Sequence, residues 1–220
     1  ATFCRECDTI AVTDEIYEHI LYDGRQHVHM AELPGMWERT VTISGISKSY
    51  SATGWRVGYA IAQRDLMAAI RKCHDYMVVC APTPFQLGAV VAMGLPDSYY
   101  DELREFYRER RDFLLRTFEA LSIPAFRPEG AYYMMIRIDG LGRGDDESFA
   151  MSLVEQAGLA VVPGSSFYHR PEDGRDKVRI CFAKKWETLN QIGERMERFL
   201  GQGKWVSAQV RECGAADAAS

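Results

Sequence analysis

Two apolar periodicities alternate along the chain. Thr9 to Thr13 (TIAVT), Thr40 to Ser44 (TVTIS) and Val57 to Ala62 (VGYAIA) are short, nearly continuous apolar runs bounded by glycine and polar residues. That is the pattern of strands buried on both faces of a parallel sheet. Around and between these runs the spacing widens to three and four. Phe3 and Cys7 share a face, so Ala1 to Asp8 reads as the end of a helix. Arg64 to Tyr76 aligns Leu66, Ala69, Ile70 and Cys73 as an amphipathic helix, and Thr83 to Met93 reads as another that opens after the Pro82 and Pro84 boundary. Tyr99 to Leu121 keeps Leu103, Phe106, Tyr107, Phe113, Leu114 and Phe118 apolar and charges its other face, predicting one helix of about 30 Å or more, long enough to run from one domain into another.

Past Pro124 the pattern predicts strands at Tyr132 to Ile138, Leu159 to Val162 and Val178 to Phe182, with helices at Ser148 to Gln156 and Trp186 to Leu200. The expected organisation is an α/β domain over residues 1–98, an interdomain helix over 99–121 and a smaller α+β domain over 122–200. The tail, residues 201–220, ends in GAADAAS with little apolar periodicity and reads as disordered.

Composition narrows the functional classes. The chain has 47% apolar and 11% aromatic residues among 220, ample for a buried core. Its net charge of −5 comes from interspersed acids and bases, so no basic stripe exists to follow a nucleic-acid backbone. No apolar run reaches the ~18 residues a spanning helix needs, and the first residues lack a signal-peptide pattern, so a soluble, cytoplasmic protein with no membrane partner is expected. Six cysteines (Cys4, Cys7, Cys73, Cys80, Cys181, Cys213) spread over a chain this long read as reduced thiols. Cys4 and Cys7 form a CxxC pair, but zinc needs four ligands and no second pair of suitable spacing follows, so no metal is expected. His27 and His29, one residue apart in a loop, read as solvated surface.

Chemistry concentrates in Ser44 to Tyr59, SGISKSYSATGWRVGY. A lysine follows the strand Thr40 to Ser44, at the strand C-terminus where open α/β sheets place their ligands. Gly54 lets the chain turn. Arg56, eight positions after Lys48, offers an anion a planar two-point fork that lysine cannot. A second cluster, DEIY at Asp14 to Tyr17, follows the strand Thr9 to Thr13, where an acid can also be a helix cap. Arg179 stands in KVRICFA on an apolar strand, where it is either paired or placed on a solvent-facing edge.

Together these segments resemble the class I/II aminotransferases, enzymes that depend on pyridoxal 5'-phosphate (PLP) and share fold type I. The resemblance covers about residues 1–200 and implies the C-terminal part of the large PLP-binding domain, a mainly parallel sheet with helices, followed by the smaller α+β domain. It implies that Lys48 holds the cofactor as a Schiff base, that Arg56 grips the phosphate, that Asp14 pairs with the pyridine nitrogen and that Tyr17 donates to the ring hydroxyl oxygen. Arg179 would bind the substrate α-carboxylate. Some branches place a serine three residues before the lysine, where this chain has Gly45, so the phosphate hydroxyl is assigned to Ser47, with Ser44 and Ser49 also nearby. EGAYYM (Glu129 to Met134) and VVPGSSF (Val161 to Phe167) resemble segments that line the substrate pocket. A full family member has a large N-terminal portion that this sequence lacks, which supplies a phosphate-cradling loop, an aromatic over the ring and a gating segment.

The implied reaction moves an amino group between an amino acid and a 2-oxo acid in a homodimer. The same fold also hosts carbon–sulfur β-lyases, cyclopropane-forming synthases and effector-sensing domains of transcription regulators, and a structural fragment without activity is a further reading.

Overall fold

A computed structural model describes residues 1–141 and 144–201, so the tail beyond Gly201, with Cys213, lies outside the described residues. The chain separates into two compact units: residues 1–109 with 128–132, and residues 110–127 with the chain from Tyr133 onward.

The first unit opens with the short helix α1 (Thr2–Glu6), which buries none of its residues. Its sheet holds β1 (Ala11–Asp14), β2 (Thr40–Gly45) and β3 (Gly58–Ala62) in the order β1-β2-β3. β1 and β2 are parallel, as expected, but β3 runs antiparallel to β2. The reason is the connection. Residues 46–57 form turns and a single 3-10 turn (Thr53–Trp55), and without a crossover helix the chain can only return alongside the strand it left. Helices α2 (Arg64–Met77) and α3 (Thr83–Met93) follow, the latter with a proline in its first turn, where a missing N–H costs nothing. Ile46, Val57 and Ala89 form a small core with Tyr50, Ala52 and Ala81. The expected cover on both faces of the sheet is incomplete, because Val12 and Ile43 are 66% and 41% exposed on one face and Ile61 is 49% exposed on the other.

The long helix α4 (Asp97–Ala120) is continuous, and the two units divide within it, between Glu109 and Arg110. The second unit carries a three-stranded antiparallel sheet ordered β4-β6-β5: β4 (Tyr133–Arg137), β5 (Val162–Pro163) and β6 (Lys177–Cys181). Helix α5 (Asp146–Ser152) is capped by the Asp145 carboxylate, which accepts from Ser148 N at 3.0 Å, and runs into a π-helical turn, Leu153–Ala157. Helix α6 (Trp186–Leu200) buries Leu189, Ile192, Met196 and Phe199, a three-and-four spacing that makes one apolar stripe. It stops at Gly201, whose φ of +69° gives the left-handed cap that glycine adopts without a Cβ clash. Along β4 and β6 burial alternates, so Met134, Ile136, Val178 and Ile180 face the core while Tyr133 and Arg179 share the opposite face.

Candidate active site

The register of the first sheet collects three candidate residues at one end. Asp14 ends β1 opposite Ile43, and the amide of Glu15 continues the ladder by donating to Ile43 O at 2.8 Å. Lys48 lies in the turn three residues beyond Gly45, the last residue of β2. Arg56 sits two residues before Gly58, which pairs with Gly45. This is the carboxyl end of the parallel pair, where ligands of open α/β sheets bind.

Gly45 has a packing reason. A Cβ there would stand 2.9 Å from both Gly58 Cα and Val57 O, and a Cβ on Gly58 would stand 2.9 Å from Ser44 O. The two glycines let the strands meet edge to edge where they diverge into the lysine turn. A serine at residue 45 would collide with backbone. Of the nearby hydroxyls, Ser44 Oγ donates to Glu18 Oε1 at 2.7 Å, and Ser49 is buried. Ser47 is half-buried in the same turn as Lys48.

Arg56 adopts a left-handed backbone conformation (φ +53°, ψ +44°), its side chain is exposed, and its Nη1 donates to Thr53 O at 2.9 Å. Such a conformation costs about 1–3 kcal/mol for a residue other than glycine and clusters at ligand clamps. Asp14 is exposed and its Oδ1 accepts from Ile16 N at 3.3 Å. Tyr17 meets Tyr132 edge to face at 5.2 Å, and Lys48 Nζ stands 5.8 Å from the centre of the same Tyr132 ring. Tyr132 therefore links Tyr17 and Lys48. Tyr132 lies in EGAYYM, a segment that resembles pocket lining but carries no role of its own, and only the fold brings it to the lysine.

Arg179 belongs to the second unit. β6 is the middle strand of its sheet, which overturns the solvent-facing edge alternative. The guanidinium carbon lies 4.1 Å from the centre of the Tyr133 ring and 4.2 Å from that of Phe167, stacked by two aromatic faces. Its Nε is buried and meets no hydrogen-bond acceptor among the described residues. An unsatisfied buried donor costs about 1–3 kcal/mol, so an anionic acceptor placed there would be stabilised.

His27 and His29 are not the solvated surface the sequence suggested. Both rings turn inward onto the buried carboxylate of Glu15: His27 Nε2 at 2.9 Å and His29 Nδ1 at 2.5 Å from Oε2. Burial pushes the Glu15 carboxyl up, but hydrogen bonds from His29, Thr13 and His27 outweigh it and hold the group below the usual carboxylate range. The hydrogen bond to Glu15 correspondingly raises His29 above an ordinary histidine. The carboxylate twelve residues upstream was the signal missed.

The first unit, of α/β build, thus places a lysine, an aspartate and an arginine at one end of its sheet. Comparison with known proteins resolves the class further. The model of the family "Aminotransferase class I and II" matches residues 1–195, and the chain belongs to that family. It is 32% identical over 219 residues to kynurenine–oxoglutarate transaminase 1 of Rattus norvegicus (90% of this chain, 52% of the relative). It is 36% identical to an aspartate aminotransferase of Pyrococcus abyssi (93% of this chain, 52% of the relative). The solved N-succinyldiaminopimelate aminotransferase from Mycobacterium tuberculosis superposes with a TM-score of 0.87 at 30% identity, covering 90% of this chain and 52% of that one. The aromatic aminotransferase from Pyrococcus horikoshii gives 0.83 at 36%, covering 91% and 53%. The α/β fold is thus that of the solved aminotransferases, and the chain spans about half the length of the curated relatives it matches. Among the described residues no helix is long and apolar enough to cross a membrane.

Proposed function

We propose that this chain carries the lysine half of a PLP-dependent aminotransferase, which moves an amino group between an amino acid and a 2-oxo acid as a cytoplasmic homodimer. The observation that carries the reading is the placement of Lys48 in the turn beyond β2, beside the Asp14 end of β1. The donor set fits the cofactor: an amine for its aldehyde, a carboxylate for its ring nitrogen, a phenol for its ring oxygen, and a hydroxyl and a guanidinium for its phosphate. When bound, PLP supplies an electron sink conjugated to the substrate α-carbon.

Each residue then has a defined task. Lys48 would hold the cofactor through its amine, and the same amine, when free, would carry a proton to and from the substrate α-carbon. Asp14 keeps the ring nitrogen protonated by the attraction of opposite charges. Tyr17 donates to the ring oxygen, and Tyr132 packs against it. Ser47 and Arg56 would hold the phosphate. Arg179, stacked between Tyr133 and Phe167 with an unsatisfied Nε, would donate a two-point fork to the substrate carboxylate. The phosphate-cradling loop and the aromatic over the ring would come from the part of the family's length that this chain does not span.

Peptide mapping tests the anchor. After incubation with PLP and reduction with borohydride, the pyridoxyl group should sit on Lys48; a label on another lysine ends the assignment. Steady-state assays separate the reaction type, since a transaminase forms the keto acid stoichiometrically with aminated acceptor, whereas a β-lyase releases pyruvate and ammonia without an acceptor.

A further inference from the structure

We propose that Glu15, His27 and His29 form a binding site for a first-row divalent cation of the zinc, cobalt or nickel type. The site shares no residue with the proposed cofactor set, although Glu15 directly follows Asp14, and it does not depend on the aminotransferase reading. Residues 25–29 run without helical or strand pairing, and His29 is extended (φ −70°, ψ 122°). In an extended backbone residues two apart point the same way. The alternation is visible here, because Val28 is 68% exposed while the imidazoles on either side turn inward.

Glu15 is fixed from two directions. Its amide is held by Ile43 O, and Thr13 Oγ1 donates to its Oε1 at 2.8 Å, leaving Oε2 as the one oxygen aimed at both rings. One carboxylate oxygen and two imidazole nitrogens thus converge, all within 4.8 Å of one another. Zinc bonds of about 2.0–2.2 Å would set tetrahedral ligand atoms about 3.3 Å apart. The separations of 2.5 and 2.9 Å are hydrogen-bond distances, which small side-chain rotations would open to the required spacing.

The donor set chooses the metal. Two nitrogens and one oxygen disfavour calcium and magnesium, which take oxygen shells, and suit the imidazole-loving divalent ions. Thr13 supplies the outer hydrogen bond that orients a ligating carboxylate. The Glu15 side chain is 4% exposed while those of His27 and His29 are 26% and 35% exposed, so the remaining coordination positions face water. The bound ion would pin the 25–29 segment to the end of β1.

The test uses the full chain, metal-stripped, in a Cys4→Ser/Cys7→Ser background that removes the CxxC pair as a competing ligand. Titration with cobalt(II) should give saturable, stoichiometric visible absorption, displaced by zinc. His27→Gln and His29→Gln should each abolish it, and Thr13→Val should weaken it about 10–100-fold. Histidine ring nitrogen NMR on the unsubstituted ligands keeps the answer independent of whether these variants fold: zinc should shift His27 Nε2 and His29 Nδ1 and leave the exposed His74 and His169 unchanged. Absence of saturable binding, binding that survives loss of both histidines, or shifts confined to other histidines would overturn the proposal.

Discussion

Replacing Gly164 with alanine probes the turn that carries Phe167 to Arg179. Gly164 opens a 3-10 turn, Gly164–Phe167, directly after β5. A Cβ on it would lie 2.3 Å from Gly174 O and 2.5 Å from Lys177 O, against about 3.5–4.0 Å for an ordinary carbon contact. Both obstacles are backbone, and Lys177 is held in register by Arg137 of β4. Nor is there slack on the other side, since a Cβ on Gly174 would itself come within 2.5 Å of Gly164 C. Relief therefore needs a backbone movement of about 1 Å, and overpacking of this kind costs about 1–3 kcal/mol, here about 3 because no side chain can rotate away. The movement would also strain the 2.7 Å hydrogen bond from Ser165 N to the buried Asp146 carboxylate and shift the Phe167 ring off the guanidinium. Amide hydrogen exchange reads the effect within the second unit, and protection of β6 should fall about 10²-fold, the equivalent of about 3 kcal/mol. Gly54→Ala is the control, since a Cβ there meets nothing within 4 Å. A Gly164→Ala chain within about 0.5 kcal/mol of its parent, or a Gly54→Ala chain equally weakened, would refute the packing argument.

Two predictions concern the proposed chemistry in the enzyme. Asp14→Asn keeps an oxygen for the Ile16 amide, so cofactor binding should persist while single-turnover proton transfer slows ~10²-fold or more; unchanged kinetics would remove Asp14 from the ring nitrogen. Arg179→Lys retains charge but loses both the planar stack and the fork, so kcat/KM for amino acids should fall by about 2–4 kcal/mol in transition-state binding, with amines lacking a carboxylate unaffected. Equal losses for both substrate types would return Arg179 to a structural role.

What the sequence made legible is what local physics decides. The bounds of α6 follow from an apolar stripe that ends at Gly201, and those of α3, which buries only Ala89, from the prolines at its start and the glycine after it. The direction of β3 was not legible, because apolar runs do not record whether the neighbouring strand is parallel. The strand expected at Leu159 to Val162 shrinks to Val162–Pro163, where it pairs only with Arg179 and Val178 of β6. The helix expected through Gln156 ends its regular part at Ser152 and widens into a π-helical turn before Gly158, a change that composition does not announce.

Of the candidate site, Asp14, Tyr17, Ser47, Lys48 and Arg56 could be proposed because each lies in a contiguous motif that resembles those of the family. Tyr132 and the partners of Arg179 could not, because they reach their places through long-range packing. Tyr132 is held beside Tyr17 and Lys48 by a segment in which Ala131 N donates to Ile20 O at 2.9 Å and Tyr22 OH donates to Ala131 O at 2.5 Å. Gly45 joins the two kinds of information. As a motif position it marks a missing serine, yet its packing against Gly58 shows why the serine is missing: the antiparallel approach of β3 leaves no room for a side chain. The strand whose direction the sequence did not disclose is thus the element that crowds residue 45, and Ser47, one residue from the lysine, is the proposed phosphate donor to test.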